Sequence, residues 1–196
     1  MPRKADIDRK TGETEISLAV DLDGGDVDAS TGVGFFDHML ETVGRHGRLG
    51  LRVSAKGDLE TGAHHTVEDV GIALGLALDE ALGDRAGIRR FGYAAIPMDE
   101  ALGVCAVDVS GRPLCLFRSE LPLTSIAGFE TELTEEFFRA VATNAKLTLH
   151  FGNSYGTNAH HMVEACFKAF ARALRDAVSI DPDEPGVPST KGTLTD

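Results

Sequence analysis

Two pairs of adjacent histidines, each followed by a glutamate in the pattern HHxxE, carry the most distinctive chemistry of this sequence. The segment HHTVEDVGIALGLAL at 64–78 matches HHMVEACFKAFARAL at 160–174, an offset of 96 residues. A lone histidine on a helix is ordinarily a surface or core residue, whereas two copies of one pattern at matched positions indicate a metal site. Mixed imidazole and carboxylate ligands admit Mn, Fe, Zn or Co, and the sequence does not choose among them.

Helix geometry indicates two ions rather than one. Residues four apart share a helix face, so His64 and Glu68 could chelate one ion, and the second copy repeats this chelate. His65 is rotated by about 100° from His64 and should reach a different ion. The expected ligand sets therefore cross between the two copies, with His64, Glu68 and His161 on one ion and His160, Glu164 and His65 on the other.

A further ligand for each ion is expected from the helix that precedes each histidine pair. His38 lies in the segment GFFDHML, and its counterpart at an offset of 98 residues is Glu136. A pseudosymmetric site would use Glu136 at the first ion and His38 at the second.

The hydrophobic pattern predicts the elements that would position these residues. Alternating or apolar runs predict strands at 14–22, 49–53, 91–97, 104–109, 114–117 and 147–151, and a helical period predicts helices at 35–46, 64–82, 135–145 and 160–178. The run DGGD at 23–26 is predicted to be a solvated hairpin turn. It is not predicted to be a calcium loop, because the glycine position and the flanking helices of an EF-hand are missing.

The repeat extends beyond the histidine pairs and predicts the domain organisation. The chain is expected to be a duplicated strand–helix–strand–helix unit of roughly 95 residues. Strands that cluster before and between helices predict sheets with helices on one face, an α+β layout. The expected units are a first half at 1–90, a second half at 91–180 and an irregular tail at 181–196 that contributes to the substrate site.

The composition bounds the compartment and the partners. A net charge of −12 disfavours nucleic acid and anionic membranes, so an anionic substrate would need a local cluster of Arg and Lys. The apolar runs fall short of the roughly 18 residues that span a bilayer. The charged N-terminus MPRKADIDRK is not a secretory signal, which favours a cytoplasmic protein. The three cysteines, which have apolar neighbours and no CxxC spacing, are expected to be reduced, packed thiols.

Five blocks across nearly the whole chain resemble the imidazoleglycerol-phosphate dehydratase family: GFFDHML (34–40), HHTVEDVGIALG (64–75), DVSGRP (108–113), HHMVEACFKAFARALR (160–175) and PSTKGTL (188–194). The resemblance implies a ribosomal protein S5 domain 2-like fold, in which each half is a four-stranded sheet backed by two helices. It also implies two Mn²⁺ ions per active site and a homo-oligomer of 24 subunits with active sites between subunits.

The same resemblance implies a role for individual residues. His38, His65, His160 and Glu164 would hold one manganese, and His64, Glu68 and His161 the other, in agreement with the helix geometry. Some family members have histidine where Glu136 stands, so this chain departs from them at that one ligand. The implied catalytic carboxylates are Glu15, Glu68 and Glu164. The implied substrate contacts are Glu15, His38, His46, His64, His65, Glu68, Arg90, Arg112, His160, Lys168, Ser189, Thr190 and Lys191.

The implied reaction converts D-erythro-imidazole glycerol phosphate to imidazole acetol phosphate and water in histidine biosynthesis. No carbonyl acidifies the C–H bond beside the ring, so two metals on the ring nitrogens would stabilise the ring as an imidazolate by Lewis-acid action. Arg112 and Lys191 lie in Gly-containing turns that suit phosphate binding. Glu15 is the expected acid/base group, although a glutamate at the start of a strand is ordinarily a solvated edge residue.

Two other functions fit the metal ligands alone. A binuclear metal hydrolase would use a metal-bridging hydroxide and act on esters or amides. A non-catalytic metal-storage or sensing cage would not need the phosphate contacts of Arg112 and Lys191.

Overall fold

A computed structural model describes residues 2–194, without the side chains of residues 153 and 154. In this part of the chain the elements follow one another in an order that repeats once: β1 (Lys4–Lys10), β2 (Thr14–Asp21), β3 (Val27–Ser30), α1 (Gly34–Gly47), β4 (Gly50–Gly57), a 3₁₀ helix (Leu59–Thr61), α2 (His64–Leu82), β5 (Phe91–Met98), β6 (Ala101–Asp108), β7 (Leu114–Arg118), β8 (Ser125–Ile126), β9 (Phe129–Glu130), α3 (Leu133–Ala145), β10 (Thr148–Tyr155) and α4 (Ala159–Val178).

Two four-stranded sheets with the same connectivity form the framework. The first has the order β1-β2-β4-β3 and the second the order β5-β6-β10-β7. In each sheet three strands are antiparallel, while the last strand runs parallel to its neighbour. A parallel pair needs a crossover connection, which α1 provides between β3 and β4 and α3 provides between β7 and β10. The predicted duplication and the predicted four-stranded sheet in each half are confirmed.

The four helices form two inner layers between the sheets. The first-half helices α1 and α2 pack on the first sheet, and the second-half helices α3 and α4 pack on the second. The halves meet through the helices, because α1 packs against α4 and α2 against α3. Each sheet therefore has its helices on one face, as predicted, and its other face is turned away from the core.

Alternation along the strands explains which face is buried. In β2 the side chains of Ile16, Leu18 and Val20 are almost fully buried under the helices. Glu15 and Ser17, which point to the opposite face, are exposed. In the second half a cluster of phenylalanines fills the core, with ring centroids between 4.3 and 5.3 Å apart for Phe138 with Phe151, Phe167 and Phe170, and for Phe137 with Phe138 and Phe167.

The cysteines occupy the same core, as expected from their apolar neighbours. Cys105 and Cys166 are buried, and Cys115 is half-buried. Burial raises the pKa of the Cys115 thiol to about 12 and that of the Cys105 thiol well above its ordinary value. Thiols that resist ionisation in this way are poor nucleophiles, so we assign these two to packing.

The helices were predicted closely and some strands were not. The helix expected at 64–82 has those bounds, but β1 was not predicted, because only Ala5 of this edge strand is buried. Polar contacts hold β1 in place instead: Lys4 Nζ lies 2.7 Å from Asp21 Oδ2, and Arg9 Nη2 donates to Asp69 Oδ1 at 2.7 Å. The short strands β3, β8 and β9 were also missed.

The chain turns at 22–23, at the start of the run 23–26, but the hairpin prediction was wrong. β4 lies between β2 and β3 in the sheet, so the strands on either side of this turn do not pair with each other. The tail is irregular as predicted, with neither helix nor strand in residues 181–194. No helix in residues 2–194 has the length and apolar character needed to cross a membrane.

Glycines allow the two halves to approach closely, and this generates a stability prediction. A Cβ at Gly75 of α2 would lie 2.6 Å from Asn144 Cβ and 2.9 Å from the Val141 carbonyl oxygen on α3. Overpacking costs about 1–3 kcal/mol, which outweighs the roughly 1 kcal/mol that Ala gains over Gly in an exposed helix. Gly75→Ala should therefore lower the free energy of unfolding in a denaturant titration.

Gly34 is the matched control, because it begins α1 and a Cβ there would have no atom within 4 Å among those described. Gly34→Ala should leave stability unchanged or raise it slightly. Equal stability changes in the two variants would contradict a tight α2–α3 contact.

Candidate metal and active site

The first histidine of each pair stands beside the glutamate four residues later, at the start of a helix. His160 Nε2 lies 3.2 Å from Glu164 Oε2 on α4, and His64 Nε2 lies 3.6 Å from Glu68 Oε2 on α2. Asn158 caps α4, because its side-chain oxygen accepts from the backbone N–H groups of His160 and His161. In each copy the structure thus places the first histidine and the glutamate side by side on one helix face, as helix geometry predicts.

The helix that precedes each pair brings a further candidate ligand. His38 on α1 places its Nε2 3.9 Å from Glu164 Oε1, and the ring of Phe35 on the same helix contacts the ring of His160 with centroids 4.8 Å apart. The counterpart of His38 is Glu136 on α3, the helix that packs against α2.

The second histidine of each pair is held by a different carboxylate. His65 Nδ1 lies 3.0 Å from Asp58 Oδ2, and His161 Nδ1 lies 2.6 Å from Glu100 Oε2. The ligand sets expected from the sequence are not completed within one chain. Among residues 2–194, no group of three His, Cys, Asp or Glu side chains could hold a metal ion.

Glu164 is the most enclosed of the candidate ligands, at 6% exposure. Burial raises its pKa, but the ammonium of Lys168, whose Nζ lies 2.7 Å from Oε1, lowers it, and the net pKa shift is downward. The carboxylate therefore stays ionised. For the nearby His46, burial lowers the pKa, and the positive charges of Lys168 and Arg172 lower it further.

Glu15 lies on the outer face of the first sheet, away from the helices. Its carboxylate accepts from Lys10 Nζ at 2.8 Å, and this hydrogen bond lowers the pKa of Glu15. A shallow depression joins Glu15 to Glu13 and Asp58, the two carboxylates nearest to His65. Glu15 thus lies on the same edge of the molecule as His65, the second histidine of the first pair.

A separate cluster of cationic residues forms around Arg90 and the tail. Arg90 has a positive φ of 71° and makes a two-pronged ion pair with Asp108, and its Nη1 donates to the Pro188 carbonyl at 2.9 Å. Arg112 lies nearby, with Nη2 4.0 Å from Asp108 Oδ2. The tail residues Ser189, Thr190 and Lys191 follow directly after Pro188, so the contact with Arg90 fixes the start of this segment beside Asp108.

The cationic cluster and the histidine pair lie at opposite ends of α4. The backbone N–H of Arg90 donates to the Ala177 carbonyl at the C-terminal end of the helix, whereas His160 is its second residue. His160 and Ala177 are 17 positions apart, and at 1.5 Å per residue this separation corresponds to about 25 Å. A small phosphorylated molecule cannot touch both groups of the same chain.

Comparison with known proteins bears on this arrangement. The family model for imidazoleglycerol-phosphate dehydratase matches residues 31–174. The chain belongs to the imidazoleglycerol-phosphate dehydratase family. Its members are hydro-lyases of histidine biosynthesis, and this membership sets aside the binuclear hydrolase and the metal-storage cage.

Individual family members agree over nearly the full chain. The dehydratase of Acetivibrio thermocellus is 57% identical over 195 residues, which cover 99% of this chain and 100% of that protein. The dehydratase of Symbiobacterium thermophilum is 58% identical over 98% of this chain and 93% of its own. The crystal structure of the Staphylococcus aureus dehydratase matches with a TM-score of 0.83 at 40% identity, covering 91% of this chain and 99% of that one. The Pyrococcus furiosus structure matches with a TM-score of 0.84 at 37% identity, over 96% and 100%.

Sequence reasoning missed Asp58, Glu100 and Asn158, which fix the histidine pairs. An asparagine directly before a helix is a recognisable N-cap signal, so Asn158 could have been found. Asp58 and Glu100 carry no such signal, because Glu100 stands 61 residues before His161 and meets it only in the fold.

The structure also distinguishes Arg90 from its neighbour Arg89, which is exposed. Arg90→Ala removes the donor to the Pro188 carbonyl and leaves Asp108 without its closest cation. Charge-assisted hydrogen bonds contribute roughly 1.5–3 kcal/mol. We therefore expect hydrogen exchange in a peptide covering 187–192 to become about 10-fold faster or more, as measured by mass spectrometry, and no such change in Arg89→Ala. Equal exchange in both variants would show that Arg90 does not hold the tail.

Proposed function

We propose that this chain removes water from imidazole glycerol phosphate to give imidazole acetol phosphate in the cytoplasm. The active site is shared between subunits and holds two Mn²⁺ ions. The observation that carries the proposal is the pair of His–Glu chelates, each left incomplete within one chain. The distance of about 25 Å between the histidine pair and the cationic cluster along α4 supports a site built from more than one chain.

The donor set fits manganese. It combines imidazole nitrogens with carboxylate oxygens and contains no thiolate, and carboxylate ligands suit Mn²⁺. The residues that would hold the first ion are His64, Glu68 and His161, with Glu136 as the fourth ligand. Those that would hold the second are His38, His65, His160 and Glu164.

When bound, the two ions supply Lewis-acid stabilisation of the negative charge that the imidazole ring carries during elimination. The residues of the chain itself transfer the protons and bind the substrate. Glu15 is the acid/base group at the substrate's side chain, since its carboxylate is exposed on the edge that carries His65. His46 is neutral at neutral pH because its pKa is lowered, so its ring can accept a hydrogen bond from the substrate.

The phosphate is bound by Arg112, Lys191 and the tail. Arg112 is 61% exposed, so its guanidinium is available for a phosphate oxygen even though Asp108 lies 4.0 Å away. The backbone N–H groups of the turn around Gly111 and of the tail can add donors. Leu194 anchors the tail, because it is 4% exposed and its carbonyl oxygen lies 2.0 Å from where a Cβ on Gly111 would be.

An assembly of 24 subunits is part of the proposal. The outer face of the second sheet exposes Phe91 and Tyr93, at 60% and 64%, in a depression shared with His150. Exposed aromatic side chains that lie together mark a surface that another protein covers. Contacts between copies would also bring the histidine pair of one chain towards the cationic cluster of another.

The decisive experiment is turnover of imidazole glycerol phosphate by the purified protein, followed as release of the ketone product. Activity should require Mn²⁺, chelation should abolish it, and light scattering should show a smaller particle after chelation, because ligands from different chains link metal binding to assembly. Added Mn²⁺ should restore both. A chelated protein with full turnover and unchanged size would exclude this site.

The role of Glu15 generates a separate expectation. Glu15→Gln keeps the size and the hydrogen-bonding reach of the side chain but cannot act as a base, so kcat should fall by roughly 10²-fold or more with both ions bound. Asp8→Asn is the matched control, because Asp8 is an exposed carboxylate in a second depression of the outer face that Glu15 also lines. Similar kcat values in the two variants would remove Glu15 from the chemistry.

A further inference from the structure

The second histidine of each pair has Nδ1 close to one carboxylate and Nε2 farther from another. At His65 and His161, Nδ1 lies within 3.0 and 2.6 Å of a carboxylate oxygen. The Nε2 atoms lie 3.8 Å from Glu13 and 3.6 Å from Asp99, beyond hydrogen-bond distance. The two rings therefore share one pattern, although different elements provide the carboxylates.

We propose that Asp58 and Glu100 are positioning residues that hold the rings of His65 and His161 with Nε2 presented to the metal ions. This inference rests on the proposed function, because it takes the two histidines as ligands. Neither carboxylate needs to touch substrate or metal to act in this way.

Asp58 is itself fixed by the turn after β4. Its carboxylate accepts from Thr61 Oγ1 at 3.0 Å, and its backbone carbonyl accepts from the Thr61 N–H at 2.8 Å. Both carboxylate oxygens lie within reach of His65 Nδ1, at 3.0 and 3.2 Å. The 3₁₀ helix at Leu59–Thr61 thus sets the carboxylate in place just before α2 begins.

Glu100 is fixed at the turn between β5 and β6 and divides its two oxygens between two tasks. Oε1 accepts from the backbone N–H groups of Thr157 and Asn158, at 3.1 and 2.7 Å, and so holds the loop before α4. Oε2 accepts from His161 Nδ1. One side chain therefore ties the hairpin tip, the cap of α4 and the histidine ring together.

The chemistry of imidazole explains why such a contact matters for a ligand. A carboxylate accepts only, so it selects the tautomer with the proton on Nδ1 and leaves the lone pair of Nε2 free for a metal. It also fixes the plane of the ring and raises the basicity of the ligand nitrogen. Removing such a partner typically weakens metal binding by roughly 10- to 100-fold.

The duplication gives an independent reason to read these contacts as functional. Glu13 and Glu100 occupy matching places, each directly before the second strand of its sheet, but only Glu100 bonds to Nδ1 of the second histidine. In the first half Asp58, from the other side of the ring, makes that bond. The two halves have diverged in the residue used and have kept a carboxylate at Nδ1 of the second histidine.

The test is a Mn²⁺ titration of the chelator-stripped full-length protein, read as affinity for each of two ions per chain. Asp58→Ala should lower the affinity for one ion by roughly 10- to 100-fold and leave the affinity for the other unchanged. Asp58→Asn should recover most of this loss, because the amide oxygen can still accept from Nδ1. Glu60→Ala is the control, since Glu60 is an exposed carboxylate in the same 3₁₀ helix.

Glu100→Gln should behave differently from Asp58→Asn. Its single amide oxygen is drawn to the N–H groups of Thr157 and Asn158, so the NH₂ group faces His161 and favours the tautomer with the proton on Nε2. We expect the affinity for the ion that His161 would bind to fall by roughly 10- to 100-fold. In a His161→Ala background, Glu100→Gln should have no further effect on Mn²⁺ affinity, because the residue acts through that ring.

The outcomes separate this inference from the function on which it rests. Wild-type protein that binds two ions and turns over substrate, with Asp58→Ala and Glu100→Gln variants of unchanged affinity, would overturn the positioning role alone. An equal loss from Glu100→Gln with and without His161 would also overturn it, because it would reveal a general effect on the loop before α4. Wild-type protein that takes up no Mn²⁺ would overturn the function and the inference together.

Discussion

The packing of the inner helices between the two sheets is the constraint on which the rest of the structure depends. Because α1 lies on α4 and α2 lies on α3, the first turn of each long helix is placed beside the helix of the other half. That contact brings His38 to within 3.9 Å of Glu164. Gly75 permits the close approach of α2 to α3, because a Cβ there would lie 2.6 Å from Asn144 Cβ.

The same constraint explains why one chain holds only parts of a site. The histidine pairs stand at the starts of α2 and α4, and the cationic cluster stands where α4 ends. Rigid helices keep these groups apart, so no side-chain movement within a chain can unite them. A site that used both would have to take them from different copies, so under the proposed function assembly would be a condition of catalysis.

Much of this could be predicted from the sequence, and the exceptions have physical reasons. The bounds of α2 followed from its apolar period, and the i, i+4 spacing of His64 and Glu68 followed from helix geometry alone. The edge strand β1 could not be predicted, because it has no apolar face. Polar contacts such as the Arg9–Asp69 ion pair attach it to the rest of the fold instead. Contacts between residues far apart in the sequence, such as Glu100 with His161, depend on the sheet register and leave no local pattern.

Under the proposed function, the cationic cluster is the part of this acidic chain that would bind the phosphate. The protein carries a net charge of −12, and Asp108 stands within the cluster itself. Both oxygens of Asp108 are engaged by Arg90, which is half-buried and also holds the tail through Pro188. Arg90 therefore neutralises a carboxylate inside the cluster, and under the proposed function Arg112 and Lys191 are the charges that would meet the phosphate. On that proposal, affinity for the anion would depend on Arg90, which is already paired, as well as on the exposed residues.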